Sequence, residues 1–256
     1  MRNWDGINKF YFFLGRPYFY RSQDKRLINL SMRHFLDNPI WNALTTGAAN
    51  YALSRGKALF IDRKMGFFVG LPSYENEQLD QLYAVMDPGM RVILFTPGFL
   101  ELDAKWKVRN DHVLLQMILD KPLFQPSLEP AIRELSIADV PDMLDLTQLA
   151  KPGPFLENTI DFGGYFGYFK EGRLVSMAGT RLAAGPYTEV SAVCTHPDFT
   201  GKGIAKLVLP HVLNYIQLQG QIPFLQLYPD NLQAFNLYQK LGFVERAALR
   251  VYALEK

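Results

Sequence analysis

The stretch from Val193 to Ala205 constrains this chain more than any other. An alternating run ends at Thr195, and His196 and Pro197 make a turn. Gly201 and Gly203 follow, and Ile204, Leu207, Val208, His211, Val212 and Tyr215 then recur at helical spacing to about Gln219. A strand that feeds a long amphipathic helix through a glycine-bearing loop leaves the first N–H groups of that helix without carbonyl partners, at the positive end of its dipole. Such a terminus suits a phosphate or pyrophosphate, and glycine lets the main chain approach it closely. Taken alone, a Gly-x-Gly loop is equally a tight turn.

A second segment narrows the choice. Asn231 is placed to cap or precede a helix, Ala234, Leu237 and Leu241 share one face, and Gly242 stands where a C-terminal glycine ends the helix before Phe243. Tyr238, one position past Leu237, lies on a neighbouring face open to a cleft.

Together the two segments resemble the GNAT superfamily of N-acetyltransferases, its FR47-like and glycine N-acyltransferase-like branches included. The family's loop reads Arg or Gln, two residues, Gly, one residue, then Gly or Ala. Gly203 and Ala205 match it, and Thr200 replaces the Arg or Gln. The later pattern, Asn-x-x-Ala-x-x-Leu-Tyr-x-x-Leu-Gly-Phe, is matched throughout from Asn231 to Phe243. The resemblance implies an α/β chain of the α+β kind, with a mixed, mostly antiparallel central sheet flanked by helices. It also implies acetyl-CoA or another acyl-CoA as co-substrate, with no metal. Val193, Cys194 and Thr195 would run beside the pantetheine arm. The main chain of Gly201, Lys202, Gly203, Ile204, Ala205 and Lys206 would hold the pyrophosphate, with the two lysines adding charge, and Asn231 would stand beside the pantetheine.

By the same match, Tyr238 is the general acid that protonates the departing thiolate; a phenol of pKa about 10 keeps its proton at neutral pH. Glu189 falls where some members place a carboxylate that takes the acceptor's proton directly or through water. Gln226 stands where other members carry a catalytic Glu, and an amide is no base. A main-chain N–H on the strand, that of Val193 for instance, would polarise the thioester carbonyl. Phe155 and Glu157 lie in the region that covers the acceptor, a small-molecule amine or an amino acid. The alternative is a non-catalytic coenzyme A-binding or interaction module, to which Thr200 and Gln226 lend weight.

Pro122, Pro126 and Pro130 remove backbone donors and disfavour helix at the residues before them, which marks a linker. The expected division is an accessory α+β domain over 1–125 and the acyltransferase domain over 126–256. In the second, strands are expected at 131–135, 165–169, 173–178, 187–195, 224–228 and 243–254, with helices at 140–149, 203–219 and 232–241 and Asp139 as an N-cap. In the first, 57–62 and 66–71 read as a hairpin, and Asp87, Pro88 and Gly89 precede a strand at 91–96. This order echoes the second half, so a degenerate GNAT-like repeat is one reading and an unrelated accessory domain the other. The first half has no glycine-bearing loop before a long helix and is not expected to bind coenzyme A.

The net charge of +2 argues against a nucleic-acid partner, which calls for clustered basic surface. The basic residues from Arg21 to Arg33 are interrupted and read as a solvated helix face. One cysteine, Cys194, rules out an internal disulfide and reads as a buried, inert thiol; His34, His112, His196 and His211 show no zinc spacing. His196 reads as a turn residue and His211 as a satisfied core residue. Residues 1–15 do not read as a signal peptide, and no run approaches the roughly 20 apolar residues of a membrane span. A cytoplasmic enzyme without a membrane partner is expected.

Overall fold

Turn chemistry and alternation account for most of the elements. The computed structural model describes residues 34–121, 125–126 and 128–256. Residues 1–15, the basic stretch 21–33 and Pro122 lie outside the described residues. In chain order come α1 (Pro39–Leu44), β1 (Ala52–Arg55), β2 (Ala58–Ile61), β3 (Val69–Gly70), α2 (Asn76–Val85), β4 (Arg91–Thr96) and β5 (Lys107–Ile118). Then follow β6 (Ile132–Glu134), α3 (Val140–Ala150), β7 (Phe166–Lys170), β8 (Arg173–Ala184), β9 (Tyr187–Thr195), α4 (Ile204–Leu218), β10 (Ile222–Leu227), α5 (Leu232–Leu241) and β11 (Val244–Glu255). The expected hairpin is the β2–β3 pair, with Leu59 opposite Gly70, and the strand after Gly89 is β4.

Two sheets form. The small one runs β1-β2-β3 and the large one β4-β11-β5-β10-β9-β8-β7-β6. The large sheet is antiparallel except between β9 and β10. It also revises the expected division at residue 125. The strand β5, from the first half, lies between β10 and β11 of the second, with Gln116 opposite Gln226 on one side and Ala247 on the other. Without β5, β10 and β11 have no shared edge. The proline-bearing segment thus joins β5 to β6 and does not separate two packing units; the described residues from 34 to 256 belong to one compact unit. Among the described residues the first half holds no separate repeat of the second half's sheet: β4 and β5 join the large sheet, and β1, β2 and β3 make the three-stranded one.

Three layers bury the large sheet. On one face α4 and α5 set Val208, Val212, Ile216 and Leu241 against Val175, Val190, Leu225 and Phe243. On the other, α3 packs Met143 and Leu146 over Leu174 and Met177, and α1 with its flanks packs Leu36, Ile40 and Leu44 against Leu182, Phe224 and Leu249. Each such aliphatic or aromatic side chain contributes about 1.5–3 kcal/mol on burial. This last cluster joins residues from both halves, so the halves share a core.

Three local details stand out. Asp139 is the N-cap residue of α3 but makes no side-chain capping bond: its carboxylate accepts from the Ser136 N–H at 2.8 Å and pairs with both Arg133 terminal nitrogens at 2.6 and 2.9 Å, which holds it well below the usual carboxylate range. Pro210 lies inside α4, where it deletes one helical hydrogen bond. His211 is a core residue whose Nε2 is buried without a partner, and burial lowers its pKa. Among the described residues no helix is long and apolar enough to cross a membrane. None of their His, Cys, Asp and Glu side chains group in threes that could hold a metal ion.

Candidate active site

The parallel pair β9–β10 is joined only at its start. Tyr187, Thr188 and Glu189 lie opposite Ile222, Pro223 and Phe224, while β10 continues against β5 as far as Leu227 and β9 against β8 as far as Thr195. Past Glu189 and Phe224 the two strands therefore diverge, and the inner edge of β9 from Val190 onward has no strand beside it. The bend has a local cause. Between the pairs Gly179–Ser191 and Met177–Cys194, two residues of β9 oppose one of β8, and Ala192 takes up the bulge at φ +51°. An alanine with positive φ is uncommon, and backbone held this way collects at functional positions.

One face of this slot leads to the glycine loop. Gly201 and Gly203 adopt φ +74° and +76°, and a Cβ at either would meet no atom within 4 Å. The glycines are there for conformation and for open space above them. Gly203 is the N-cap of α4; the Lys206 N–H turns back to its carbonyl at 3.0 Å, while the amides ahead of it have no carbonyl behind them. Thr200 spends its hydroxyl on the Pro197 carbonyl at 2.9 Å. Lys202 is tied to the same turn, its Nζ donating to the Asp198 carbonyl at 2.8 Å and lying 4.8 Å from the Phe199 ring centre. The Asn231 side chain caps α5 by accepting from the Ala234 N–H at 3.1 Å. Tyr238, 7% exposed, belongs to the same buried cluster as Val190, Leu225 and Leu227, the residues bordering the slot, and its ring meets Phe243 edge-on at 5.8 Å. Burial pushes its hydroxyl pKa upward. Burial likewise pushes the Cys194 thiol up to about 12, and its carbonyl accepts from the Ser176 hydroxyl at 2.8 Å. The Thr195 hydroxyl bonds the same serine at 2.9 Å.

The other face carries a buried polar row. Glu189, 1% exposed, takes two hydrogen bonds from Arg181, Nε at 2.8 Å and Nη2 at 2.7 Å, and a third from Gln226 Nε2 at 3.1 Å. Both carboxylate oxygens are engaged, so the geometry does not present Glu189 as a base to an incoming amine. Arg181 is further held by the Phe68 ring, 4.8 Å from its guanidinium carbon. Beside this row is a small pocket lined by Pro152 to Phe155, Thr159, Arg181, Ser191 and Ala192. Phe155 lines this pocket and packs edge-on against Tyr165 at 5.8 Å. Glu157 is exposed and does not line the pocket. Sequence reasoning passed over Arg181 and Ser191. The available signal was a lone charge between Leu174 and Ala184, in a strand otherwise made of apolar and small residues.

The FR47-like family model matches residues 165–251. A GNAT-family protein from Novosphingobium aromaticivorans has a solved structure that is 31% identical, covering 87% of this chain and 99% of that one, with a TM-score of 0.80. The chain belongs to the GNAT family. A GCN5-related N-acetyltransferase from Kribbella flavida shares the fold at 18% identity, with a TM-score of 0.52 over 83% of this chain and 93% of that one. No curated protein sequence matches the chain. Membership in the GNAT family supports N-acetyltransferase activity in general and leaves the acceptor and the acyl group open.

Proposed function

We propose that this GNAT protein transfers an acetyl or other acyl group from acyl-CoA to the amine of a small molecule or amino acid. The observation that carries the reading is the divergence of β9 from β10 directly above an open glycine loop at the start of α4. The residues present fit coenzyme A. The loop amides from Gly201 to Ala205 suit its pyrophosphate, and the unpaired edge of β9 from Val190 to Thr195 suits the amide-bearing pantetheine as an added strand. Asn231 then contributes as the cap that starts α5 beside the slot, and Lys206 adds exposed charge near the loop.

In the transfer, the amine nitrogen forms a bond to the acyl carbonyl carbon, the carbon–sulfur bond breaks, sulfur gains one proton and nitrogen loses one. Tyr238 supplies the proton to sulfur. Its burial beside the slot keeps the hydroxyl protonated, the form an acid must have. An N–H on β9, at Val193 or its neighbours, stabilises charge on the carbonyl oxygen. Glu189 positions Arg181 and takes no proton from the acceptor, whose own proton passes to solvent; Tyr238 regains from solvent the proton it gave to sulfur.

Thiol release from acetyl-CoA and longer acyl-CoAs, measured against a panel of amines and amino acids, tests this reading. Tyr238→Phe is expected to lower kcat by about 10²–10⁴-fold with coenzyme A affinity unchanged by calorimetry. Cofactor binding with no thiol release from any pair would instead favour a binding module, and an unchanged kcat in Tyr238→Phe would remove the assigned acid.

A further inference from the structure

Three cations gather at the close of β9, beside the glycine loop. The tip of the β7–β8 hairpin, where Lys170 pairs with Arg173, lies at the same end of the sheet as Thr195: Ser176 is opposite Thr195, and the His196 N–H donates to the Val175 carbonyl at 2.8 Å. The turn that follows sets Phe199 against this tip. Lys170 Nζ lies 5.3 Å from the Phe199 ring centre and Lys202 Nζ 4.8 Å from it. His196 meets the same ring edge-on at 5.8 Å, and Arg173 Nη2 lies 2.7 Å from His196 Nε2. Lys170, Arg173 and Lys202 are all exposed.

Two observations separate this cluster from an ordinary solvated surface. Among the described residues, none of the three cations is ion-paired to a carboxylate. Exposed arginines elsewhere, such as Arg55, Arg91 and Arg133, each hold one. Asp198 gives Lys202 only its carbonyl, at 2.8 Å, and its carboxylate lies 3.7 Å from His196 Nδ1. The second observation is that Arg173 has a partner that does not suit it. A neutral imidazole has one acceptor nitrogen. His196 Nδ1 accepts from the Asp198 N–H at 3.2 Å, so Nε2 carries the proton and faces the guanidinium donor to donor. The other tautomer satisfies Arg173 and sets Nδ1–H against the Asp198 N–H instead. An anion resolves the conflict: Arg173 donates to it, and His196 keeps Nδ1 for Asp198. Water would accept from Arg173 as well, but would leave three positive charges unanswered.

The neighbouring loop says which anion. Lys202 stands between Gly201 and Gly203, so the cluster begins where the diphosphate site ends. Coenzyme A carries, besides its diphosphate, a phosphomonoester on the 3′ oxygen of the same ribose. Such a group bears about −1.5 to −2 charges at pH 7 and three acceptor oxygens. Loop amides committed to the diphosphate do not answer that charge; a guanidinium fork and two ammonium groups do. We infer that Lys170, Arg173 and Lys202 hold the 3′-phosphate of coenzyme A, so that the β7–β8 hairpin, and not the glycine loop alone, selects the donor. The inference rests on the acyl-transfer reading above. A thioester that lacks this phosphate then binds weakly.

Calorimetry of the full chain with coenzyme A and with 3′-dephospho-coenzyme A is the test. Wild type is expected to bind coenzyme A about tenfold or more tightly than the dephospho form, and the ratio to shrink as salt rises. Lys170→Ala with Arg173→Gln should bring the ratio to about threefold or less while the affinity for the dephospho form stays as in wild type. Where the double variant fails to fold, the wild-type ratio and Lys170→Ala alone decide, the single change lowering the ratio by a few fold. Equal affinity of wild type for the two nucleotides, a ratio that survives in the folded variants, or a loss that falls equally on both nucleotides overturns the inference and leaves acyl transfer standing. Failure of wild type to bind either nucleotide would instead overturn the proposed function.

Discussion

On the α4–α5 side of the slot, the parts that meet come from residues 175–243, with Met117 of β5 and Leu119 just after it beneath them, and each helix is set by a motif of its own. On the Arg181 side, the packing partners come from far apart: Phe68 over the guanidinium, the Met65 carbonyl under Thr159, Tyr187 bonded to His34 Nε2 at 2.9 Å, and the Tyr51 hydroxyl on the Asp161 carbonyl at 2.9 Å. The first side is written in short stretches of sequence and reads the same in any chain with those motifs. The second is assembled by residues 34–70, which differ in kind from the loop and helix that face them. In the proposed function, the first side is the one that would hold coenzyme A and the second the one that would face the acceptor.

The largest expected effect tests whether the second half can stand without the first. Residues 126–256 alone lack β5 and the Leu36–Leu44 layer, so β10 and β11 each lose an edge and Phe224 its cover. The fragment should show no cooperative unfolding transition by circular dichroism in urea; a sharp transition would restore the two-domain division. Next is Glu189→Gln. Removing one partner of this buried pair leaves Arg181 charged and uncompensated and should cost about 3–5 kcal/mol in a urea titration. Replacing both members, with Arg181→Met added, should recover part of the loss. A variant of full stability that loses only kcat would make Glu189 a base after all.

On the opposite side, Gly203→Ala forces a side chain into φ +76° where space is open. About 1–2 kcal/mol of backbone strain follows, with weaker coenzyme A binding by calorimetry; an unchanged coenzyme A affinity would mean that the loop does not hold the cofactor. The smallest effect concerns pH. Burial disfavours the Tyr238 phenolate, so its folded pKa is raised and the acid form persists through the assay range. The kcat–pH profile should show no alkaline fall from this group below pH about 10. A descending limb near pH 9 that vanishes in Tyr238→Phe would contradict this.

The strands and helices from β6 to β11 were legible because alternation, Gly242 and the hairpin at Glu171 and Gly172 act over a few residues. The strand β5 was not. Its first half, Lys107 to His112, is charged and largely exposed, and hides the apolar run that follows at Val113 to Leu119. Of the site, the glycine loop and α5 were legible, and Tyr238 with them. Glu189 was seen as a lone carboxylate on a strand, because its partner Arg181 is on the neighbouring strand and only pairing brings the two together.

The sequence by itself determined the family, the glycine loop and the helix that follows it, since these depend on backbone freedom and on spacing within one segment. Tertiary structure alone decided that β5 completes the sheet, that Glu189 is held by Arg181, and that Phe68 lies over the Arg181 guanidinium while Thr159 lines the small pocket beside it. Those contacts join residues remote in the chain, and their energies come from burial and pairing that no single stretch of sequence contains.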